Sequence, residues 1–214
     1  MKNILIIGAG EFGKHLAKEL VELKNEVRIV DADDSVINAL SDDFRDALIG
    51  DCRNINVVKE LGVENYDICV VSVGRNFQAS LEITSNLREE KAKYIISQCQ
   101  SETQAKFLEM AGADKTVYAQ KEAAEKIAFI CNGDNLIDYI SISDDYKIIK
   151  IVIPKMWVGH KLPELDIRKV YNLNILAVEN GKKVFIPNID YIFRANDMVL
   201  ILGEEKQLAK LPRA

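Results

Sequence analysis

A glycine-rich turn between an apolar strand and a helix constrains this chain more than any other feature. The apolar run Asn3–Ile7 leads directly into Gly8-Ala9-Gly10-Glu11-Phe12-Gly13, after which apolar residues recur at helical spacing. A second strand pattern, Glu26–Val30, follows and ends at Asp31, 18 positions after Gly13. A strand, a GxGxxG turn, a helix and a strand that ends in an acidic residue together predict a dinucleotide-binding βαβ unit.

Each part of this motif has a physical role. Gly8 permits the tight turn out of the strand, Gly10 lets the backbone approach a pyrophosphate, and Gly13 lets helix and strand pack closely. The helix N-terminus offers unpaired N–H groups and a partial positive charge to the phosphates. Asp31 is placed to accept hydrogen bonds from ribose hydroxyls and would repel a 2′-phosphate, so NAD(H) or an adenine nucleotide is favoured over NADP(H).

Composition and charge narrow the class of protein. The chain has 214 residues, of which 48% are hydrophobic and 29% are charged, so it can bury a core as one large domain or two small ones. Its formal net charge of −5, with no basic run, argues against nucleic acid or an anionic membrane as partner. No apolar stretch approaches the roughly 20 residues of a spanning helix, and no signal peptide precedes the first strand. We therefore expect a cytoplasmic protein with no membrane insertion of its own.

Metal binding is not expected. The four cysteines, at positions 52, 69, 99 and 131, form no CxxC pair, and there are only two histidines. Structural zinc and iron–sulfur sites need closely spaced clusters of such ligands. The cysteines are expected to be reduced and mostly buried.

The order of sequence patterns predicts two domains of different architecture. Strand and helix patterns alternate through the first two-thirds of the chain, which predicts a Rossmann-like, doubly wound parallel sheet of the α/β class. The remaining part is rich in strands, with a short helix over 164–171 and a hairpin turn at Asn180-Gly181, and it predicts a small α+β module. We place the junction within 134–143, which gives domains at 1–134 and 135–214.

Ligands in an open parallel sheet lie beyond the carboxyl ends of the strands, where the strand order reverses. Five loops occupy that position in the predicted sheet, at 8–13, 31–33, 50–53, 73–76 and 98–100, and all are polar or contain glycine. Simpler roles remain open for three residues: Asp33 as a helix cap, Asp51 as a turn residue and Gln98 as a solvated amide. The predicted nucleotide-binding residues are Gly8, Ala9, Gly10, Glu11, Phe12, Gly13, Asp31, Ala32, Asp33, Asp51, Cys52, Val73, Gly74 and Gln98.

The sequence offers no catalytic group to accompany this cofactor cradle. A dehydrogenase needs an acid–base group, usually His, Lys or Tyr, near the nicotinamide ring, and a substrate pocket. His15 lies on the first helix, where we expect it to face outward, and His160 lies in the second module. The cofactor is therefore expected to be sensed rather than consumed, and the chain is not expected to be an enzyme. A small NAD-dependent oxidoreductase is the alternative.

Several short motifs, none of them specific alone, occur here in combination. They are Gly8-Ala9-Gly10-Glu11-Phe12-Gly13, Asp31, Gly50-Asp51, Val71-Ser72-Val73-Gly74, Asn76-Phe77-Gln78-Ala79-Ser80, Gly112-Ala113-Asp114 and Asp197–Gly203. In this combination the chain resembles the RCK domains (regulators of potassium conductance) of Ktr- and Trk-type bacterial potassium uptake systems. The resemblance covers essentially the whole chain, as one N-terminal and one C-terminal RCK module. A single copy of the pair is typical of Ktr-type subunits, whereas Trk-type subunits usually have two.

The resemblance implies a function that composition does not. RCK subunits form homodimers that assemble into rings, here expected to be octameric, on the cytoplasmic face of an integral-membrane potassium transporter subunit. Nucleotide binding changes the geometry of the ring and so gates ion flux, and the ligands of the family are ATP, ADP, NAD+ and NADH. Several relatives bind cyclic di-AMP in the C-terminal module, and the matching region here is 158–175, with Arg168 and Asn174.

Three positions depart from the family pattern. The family usually has Arg where Glu11 stands, often a basic residue where Gln98 stands and, in Ktr-type members, a Pro-Glu pair where Ala119-Gln120 stands. Two absent cations and an added carboxylate weaken the binding of a triphosphate, by about 1 kcal/mol for each opposed charge. NAD(H), ADP or AMP is therefore favoured over ATP, and no metal is predicted at Gln120. If Glu11 abolishes the site, the alternative function is a nucleotide-blind assembly scaffold.

Overall fold

A parallel sheet is built from six short strands that alternate with helices along the first part of the chain. The structure, a computed structural model, describes residues 1–40, 44, 46–131 and 135–212. The strand order reverses beside the first strand, which places a topological switch point there and confirms the predicted doubly wound sheet. The strands are β1 (Asn3–Ile7), β2 (Glu26–Asp31), β3 (Ala47–Ile49), β4 (Ile68–Val71), β5 (Ile95–Gln98) and β6 (Lys115–Val117), in the spatial order β3-β2-β1-β4-β5-β6.

Several of the helices that follow these strands begin at side-chain caps, and two of them end close to a glycine. Asn54, Asn76 and Ser101 each accept a hydrogen bond from a backbone N–H in the first turn of the next helix. Gly62 and Gly112 take up positive φ angles directly after two of the helices. Over the described residues the helices are α1 (Glu11–Glu22), α2 (Asp34–Asn38), α3 (Ile55–Leu61), α4 (Phe77–Glu89), α5 (Glu102–Met110) and α6 (Ala119–Cys131).

The sheet is buried on both faces, as its strand composition requires. Leu5 and Ile7 of β1 pack with α4 residues such as Leu87 on one face. Ile4 and Ile6 point the other way, into the cluster that contains Ala17 of α1 and Ile37 of α2. Because β1 is fixed from both sides, the loop that leaves it has a rigid base.

The second part of the chain forms an antiparallel sheet, which confirms the predicted α+β module. Its spatial order is β10-β9-β11-β8-β7, and the turn at Asn180-Gly181 joins two neighbouring strands as predicted, with a φ of +61° at Gly181. The described elements are β7 (Leu136–Ser141), β8 (Tyr146–Val152), α7 (Leu162–Leu165), α8 (Ile167–Tyr171), β9 (Asn174–Asn180), β10 (Lys183–Phe185), β11 (Met198–Glu204) and α9 (Glu205–Leu208).

A buried carboxylate organises the irregular segment of this unit. Asp197 is fully buried and accepts hydrogen bonds from the Asn180 side-chain amide, the Tyr191 hydroxyl at 2.8 Å and the Arg194 N–H at 2.8 Å. Trp157 and Phe193 form the centre of the adjoining apolar core. Three donors thus compensate the desolvation of one charge.

The structure divides into two compact units near the predicted junction. The chain divides into the units Met1–Lys121 and Glu122–Ala214, whereas the sequence placed the boundary at 134/135, and Asp134 lies outside the described residues. Strand β7 lies within the predicted junction and pairs with β8, with one shift in register. The predicted helix over 164–171 is two short helices, because Asp166 between them adopts a left-handed conformation with φ of 42°. The domain limits 1–134 and 135–214 stay a prediction.

Candidate nucleotide-binding site

The glycine loop between β1 and α1 is shaped by steric necessity. Gly8 has a φ of +102°, and a Cβ there would lie 2.8 Å from the carbonyl carbon of Ser72. A Cβ at Gly13 would collide with the carbonyl oxygen of Gly8. Gly10 differs, because nothing lies within 4 Å of a Cβ built on it. The backbone at Gly10 is therefore open on one side, as the approach of a pyrophosphate to the N-terminus of α1 requires.

Asp31 links the end of β2 to this loop. One carboxylate oxygen accepts a hydrogen bond from the Ala9 N–H at 2.6 Å, and the other accepts one from the Asp33 N–H at 3.0 Å. Each oxygen has a further lone pair, so Asp31 can orient the loop and still accept a hydrogen bond from a ribose hydroxyl. Asp33 itself caps α2 by accepting the Ser35 N–H at 2.9 Å, which confirms its simpler role.

The loop after β3 presents an ion pair at the site. The Asp51 carboxylate accepts hydrogen bonds from Arg53 Nε at 2.9 Å and Nη2 at 2.6 Å, and from the Arg53 backbone N–H at 3.0 Å. The Arg53 side chain is the main cause that lowers the pKa of the Asp51 carboxyl. Cys52 stands between these two residues in the sequence. Burial raises the pKa of its thiol to about 12, so this thiol stays protonated and unreactive near neutral pH.

The carboxyl ends of β4 and β5 complete the site. Gln98 is buried, and a Cβ at Gly74 would lie 3.3 Å from its amide carbon, so Gln98 is not a solvated amide. The buried Ser72 hydroxyl has no hydrogen-bond partner among the described residues, and it lies 3.1 Å from where a Cβ on Gly13 would be. Asn76 caps α4 by accepting the Ala79 N–H at 3.1 Å.

A cavity of about 220 Å³ lies at these strand ends. Ligand pockets are typically about 300–1,000 Å³, so the cavity can hold part of a nucleotide while the phosphates lie along the open glycine loop. The acceptor carboxylates and the open side of Gly10 fit such a ligand. A larger depression of about 620 Å³, near Arg28 and Tyr66, lies at the amino ends of the strands and away from the glycine loop.

Six of the predicted site residues line the cavity. Other predicted residues do not line the cavity, and they differ in burial. Ala9, Gly13 and Gly74 are buried, Phe12 is half-buried, and Gly10 and Glu11 are exposed. Arg53 and Asn76 also line the cavity and were not predicted, although both stand in loops that the sequence places at the site. The spacing of Arg53, two residues after Asp51, was the available signal. The predicted residues that line the cavity are Gly8, Asp31, Ala32, Asp51, Cys52 and Val73.

The described parts of the chain contain neither a metal-ligand cluster nor a membrane-spanning helix. There, no group of three or more His, Cys, Asp or Glu side chains is arranged to hold a metal ion. No described helix has the length and apolar character needed to cross a bilayer. The cysteines are free thiols, of which Cys131 alone is exposed.

Comparison with known proteins extends over both units. The TrkA-N domain matches residues 4–119, and the TrkA-C domain matches residues 147–213. The chain is 31% identical to Ktr system potassium uptake protein C of Bacillus subtilis, over 99% of this chain and 96% of the relative. It is 30% identical to Ktr system potassium uptake protein A of the same organism, over 98% and 95%. The crystal structure of the GsuK RCK domain is similar in fold, with a TM-score of 0.70 at 18% identity, over 97% of this chain and 46% of that one.

The fold consists of a Rossmann-like α/β unit with a crevice at its strand ends, followed along the chain by a small antiparallel module. The chain belongs to the RCK family of Ktr- and Trk-type potassium uptake systems, with one TrkA-N and one TrkA-C domain. This membership confirms the family resemblance identified from the sequence, and with it the prediction that the chain is not an enzyme.

Proposed function

We propose that this chain is a regulatory subunit that gates a separate integral-membrane potassium transporter according to the nucleotide bound in its crevice. Its relatives in Bacillus subtilis are potassium uptake proteins, which supports the transport role. The observation on which the proposal rests is the glycine-loop crevice at the strand ends in a chain of this family. A ligand gates only if it binds one conformation of an assembly better than another, so occupancy is the signal.

The crevice favours binding over turnover. Its two carboxylates are already engaged, Asp31 by the backbone of the glycine loop and Asp51 by Arg53. Its thiol, Cys52, is held protonated by burial. His15, the histidine nearest in sequence to the glycine loop, is exposed on α1. An oxidoreductase would instead need a proton donor beside the nicotinamide ring, so the oxidoreductase alternative is not favoured.

NAD(H), ADP or AMP is the proposed ligand, ahead of ATP. Asp31 and Asp51 provide acceptors for a ribose and an adenine, while Glu11 is exposed at the first turn of α1, where a triphosphate would meet its charge. Replacing Glu11 by Arg should raise ATP affinity about fivefold or more, and NADH affinity less. Glu19→Arg, exposed on the same helix but far from its N-terminus, is the control. If only the Glu11→Arg variant binds any nucleotide, the wild-type chain is a nucleotide-blind scaffold.

A homodimer that assembles into a ring, expected to be an octamer, agrees with apolar side chains exposed on α5 and α6. Phe107 is 48% and Met110 81% exposed, beside a groove of about 520 Å³ that Leu81 of α4 also lines. Ile127 of α6 is 59% exposed. Exposed apolar patches mark protein interfaces. We place the ring in the cytoplasm, attached to the membrane through the transporter subunit.

Titration calorimetry with NADH, NAD+, ADP, ATP and AMP tests the sensing role. We expect at least one to bind the wild-type chain, with NADH, NAD+ or ADP ahead of ATP. Potassium flux through vesicles that contain the membrane subunit and this chain should then change when the tightest ligand is added. Absence of binding by all five would remove the sensing role, whereas binding without any change in flux would remove gating.

The C-terminal module is the proposed site for cyclic di-AMP. Arg168 of α8 and Asn174 at the start of β9 are both exposed, so a cation and an amide are available to a phosphate and a base. Calorimetry with cyclic di-AMP should show binding that Arg168→Ala weakens and that Lys206→Ala, an exposed cation on α9, leaves unchanged. Equal affinity of wild type and Arg168→Ala would assign the binding elsewhere.

A further inference from the structure

The acceptor positions of the Asp51 carboxylate, which lines the crevice, are all filled by one neighbour. One oxygen accepts hydrogen bonds from the Arg53 backbone N–H at 3.0 Å and from its Nε at 2.9 Å. The other oxygen accepts from Nε at 3.1 Å and from Nη2 at 2.6 Å. Each carboxylate oxygen has two lone pairs, so Arg53 occupies all four. A ligand that donates to Asp51 must therefore displace the Arg53 guanidinium.

A displaced guanidinium has a second carboxylate available to it. Arg53 lines both the crevice and the groove that residues of α4 and α5 form. Glu82 of α4 lines the same groove and is half-buried. The pKa of the Arg53 guanidinium is raised chiefly by its hydrogen bond to Asp51 and, more weakly, by the charge of Glu82. Because the Arg53 side chain is 50% exposed, its movement displaces no core residue.

The backbone beneath Arg53 does not depend on its side chain. The Asn86 side-chain amide on α4 donates to the carbonyl of Cys52 at 3.1 Å and to that of Arg53 at 2.9 Å. The Cys52 side chain is buried in the core below. The loop therefore keeps its position when the guanidinium turns, and only the side chain changes its partner.

We propose that Arg53 is a two-position switch that links the crevice to the groove. It fills the acceptor positions of Asp51 until a bound nucleotide donates to them, and it then pairs with Glu82. That pairing neutralises a carboxylate beside the exposed Phe107 and Met110 side chains, which favours covering the groove with another copy of the chain. The proposal rests on the proposed function, since it assumes that a nucleotide binds in the crevice and that copies meet at the groove.

A double-mutant cycle on the full chain, measured by calorimetry with ADP and NADH, tests the switch. Arg53→Ala should raise nucleotide affinity roughly two- to fivefold, because Asp51 loses its competitor. Glu82→Gln should lower it by a similar factor, because the displaced Arg53 loses its second partner. In the Arg53→Ala background, Glu82→Gln should have no effect. The matched controls are Glu89→Gln, an exposed acid near the end of α4, and Lys18→Ala, an exposed cation on α1.

Light scattering over a range of protein concentrations tests the link to the groove. The tighter of the two ligands, at saturation, should strengthen the self-association of wild type about fivefold or more. It should leave the self-association of Glu82→Gln unchanged, because the groove of that variant lacks the charge that Arg53 would neutralise. Far-ultraviolet circular dichroism confirms that each variant is folded.

The outcomes separate this inference from the proposed function. If ADP or NADH binds wild type but binds Arg53→Ala no more tightly, or if Glu82→Gln acts equally with and without Arg53, there is no switch and nucleotide sensing stands. A self-association that the bound ligand leaves unchanged also overturns the inference. If neither ADP nor NADH binds, the inference is overturned, whereas the sensing role is lost only if NAD+, ATP and AMP also fail to bind.

Discussion

At the scale of single residues, the glycine loop combines two requirements that the sequence motif does not distinguish. Gly13 is needed by the fold, because its Cβ would meet the carbonyl of Gly8, while Gly10 has a φ of −68° and open space where its Cβ would be. An alanine at Gly10 is therefore compatible with the folded chain. Only the ligand requires glycine there, since a pyrophosphate must approach the backbone closely.

Alanine substitutions separate these roles. We expect Gly10→Ala to change the free energy of unfolding by less than about 1 kcal/mol but to lower nucleotide affinity more than about tenfold. Gly13→Ala should destabilise the chain by about 1–3 kcal/mol, as overpacking does. Urea unfolding and calorimetry with the tightest nucleotide measure both. A Gly10→Ala variant that binds as wild type does would show that no phosphate lies on this loop.

Asp31 should affect binding and stability together, because it anchors the Ala9 amide as well as facing the crevice. We expect Asp31→Ala to lose about 1–3 kcal/mol of stability, the usual effect of removing a charged hydrogen-bond partner. We also expect it to lower NADH affinity about tenfold. Asp34→Ala, an exposed acid in the first turn of α2, is the control in thermal unfolding and calorimetry. Retention of wild-type NADH affinity by Asp31→Ala would remove Asp31 from the site.

At the scale of elements, features encoded by a few neighbouring residues were predicted correctly from the sequence. Two features that depend on tertiary contacts were not. The helix cap at Asp33 and the turn at Asn180-Gly181 are encoded within a few residues, and both form where the sequence placed them. Strand β7 was missed because it is an edge strand, whose pairing with β8 supplies the order that its own pattern lacks. Arg53 was missed for a similar reason, since its role depends on the loop geometry that brings its guanidinium onto Asp51.

From the segment around Asp197 we predict that the stability of the C-terminal unit depends on pH. Burial, with the hydrogen bond to Asp197, raises the pKa of the Tyr191 hydroxyl from its ordinary value of 10.0 to about 12. The fold thus favours the neutral phenol, and this stabilisation is fully present below pH 10 and is lost as pH rises through about 12.

Replacing Tyr191 by Phe isolates that contribution. Near pH 8 the variant should be less stable by about 1–3 kcal/mol, because Asp197 loses a donor. The gap to wild type should narrow between pH 10 and 12, the window set by the Tyr191 pKa. The only tryptophan, Trp157, is buried in this unit, so its fluorescence during urea unfolding reports the C-terminal unit. Tyr94→Phe, exposed in the N-terminal unit, is the control; a gap that stays constant with pH would contradict the assignment.

At the scale of the whole molecule, the family match gives each unit a role that its own core does not reveal. The TrkA-N match lies within the unit that contains the crevice, and the TrkA-C match within the antiparallel unit. Regulation by occupancy requires that a change at a crevice reach other copies of the chain. The exposed apolar side chains of α5, beside a groove in the N-terminal unit, are the surface that we propose for that contact.

A charge introduced at this surface by mutation should therefore disrupt the assembly. We expect Met110→Glu to convert the ring into smaller species in multi-angle light scattering, because burying an unpaired carboxylate in an apolar contact costs several kcal/mol. Leu23→Glu is the control, since Leu23 is 71% exposed at the end of α1, outside the groove that Met110 lines. Nucleotide affinity should survive in Met110→Glu if each crevice is complete within one chain. A Met110→Glu protein with the wild-type mass would place the interface on another face, whereas parallel loss of mass and nucleotide affinity would mean that assembly completes the crevice.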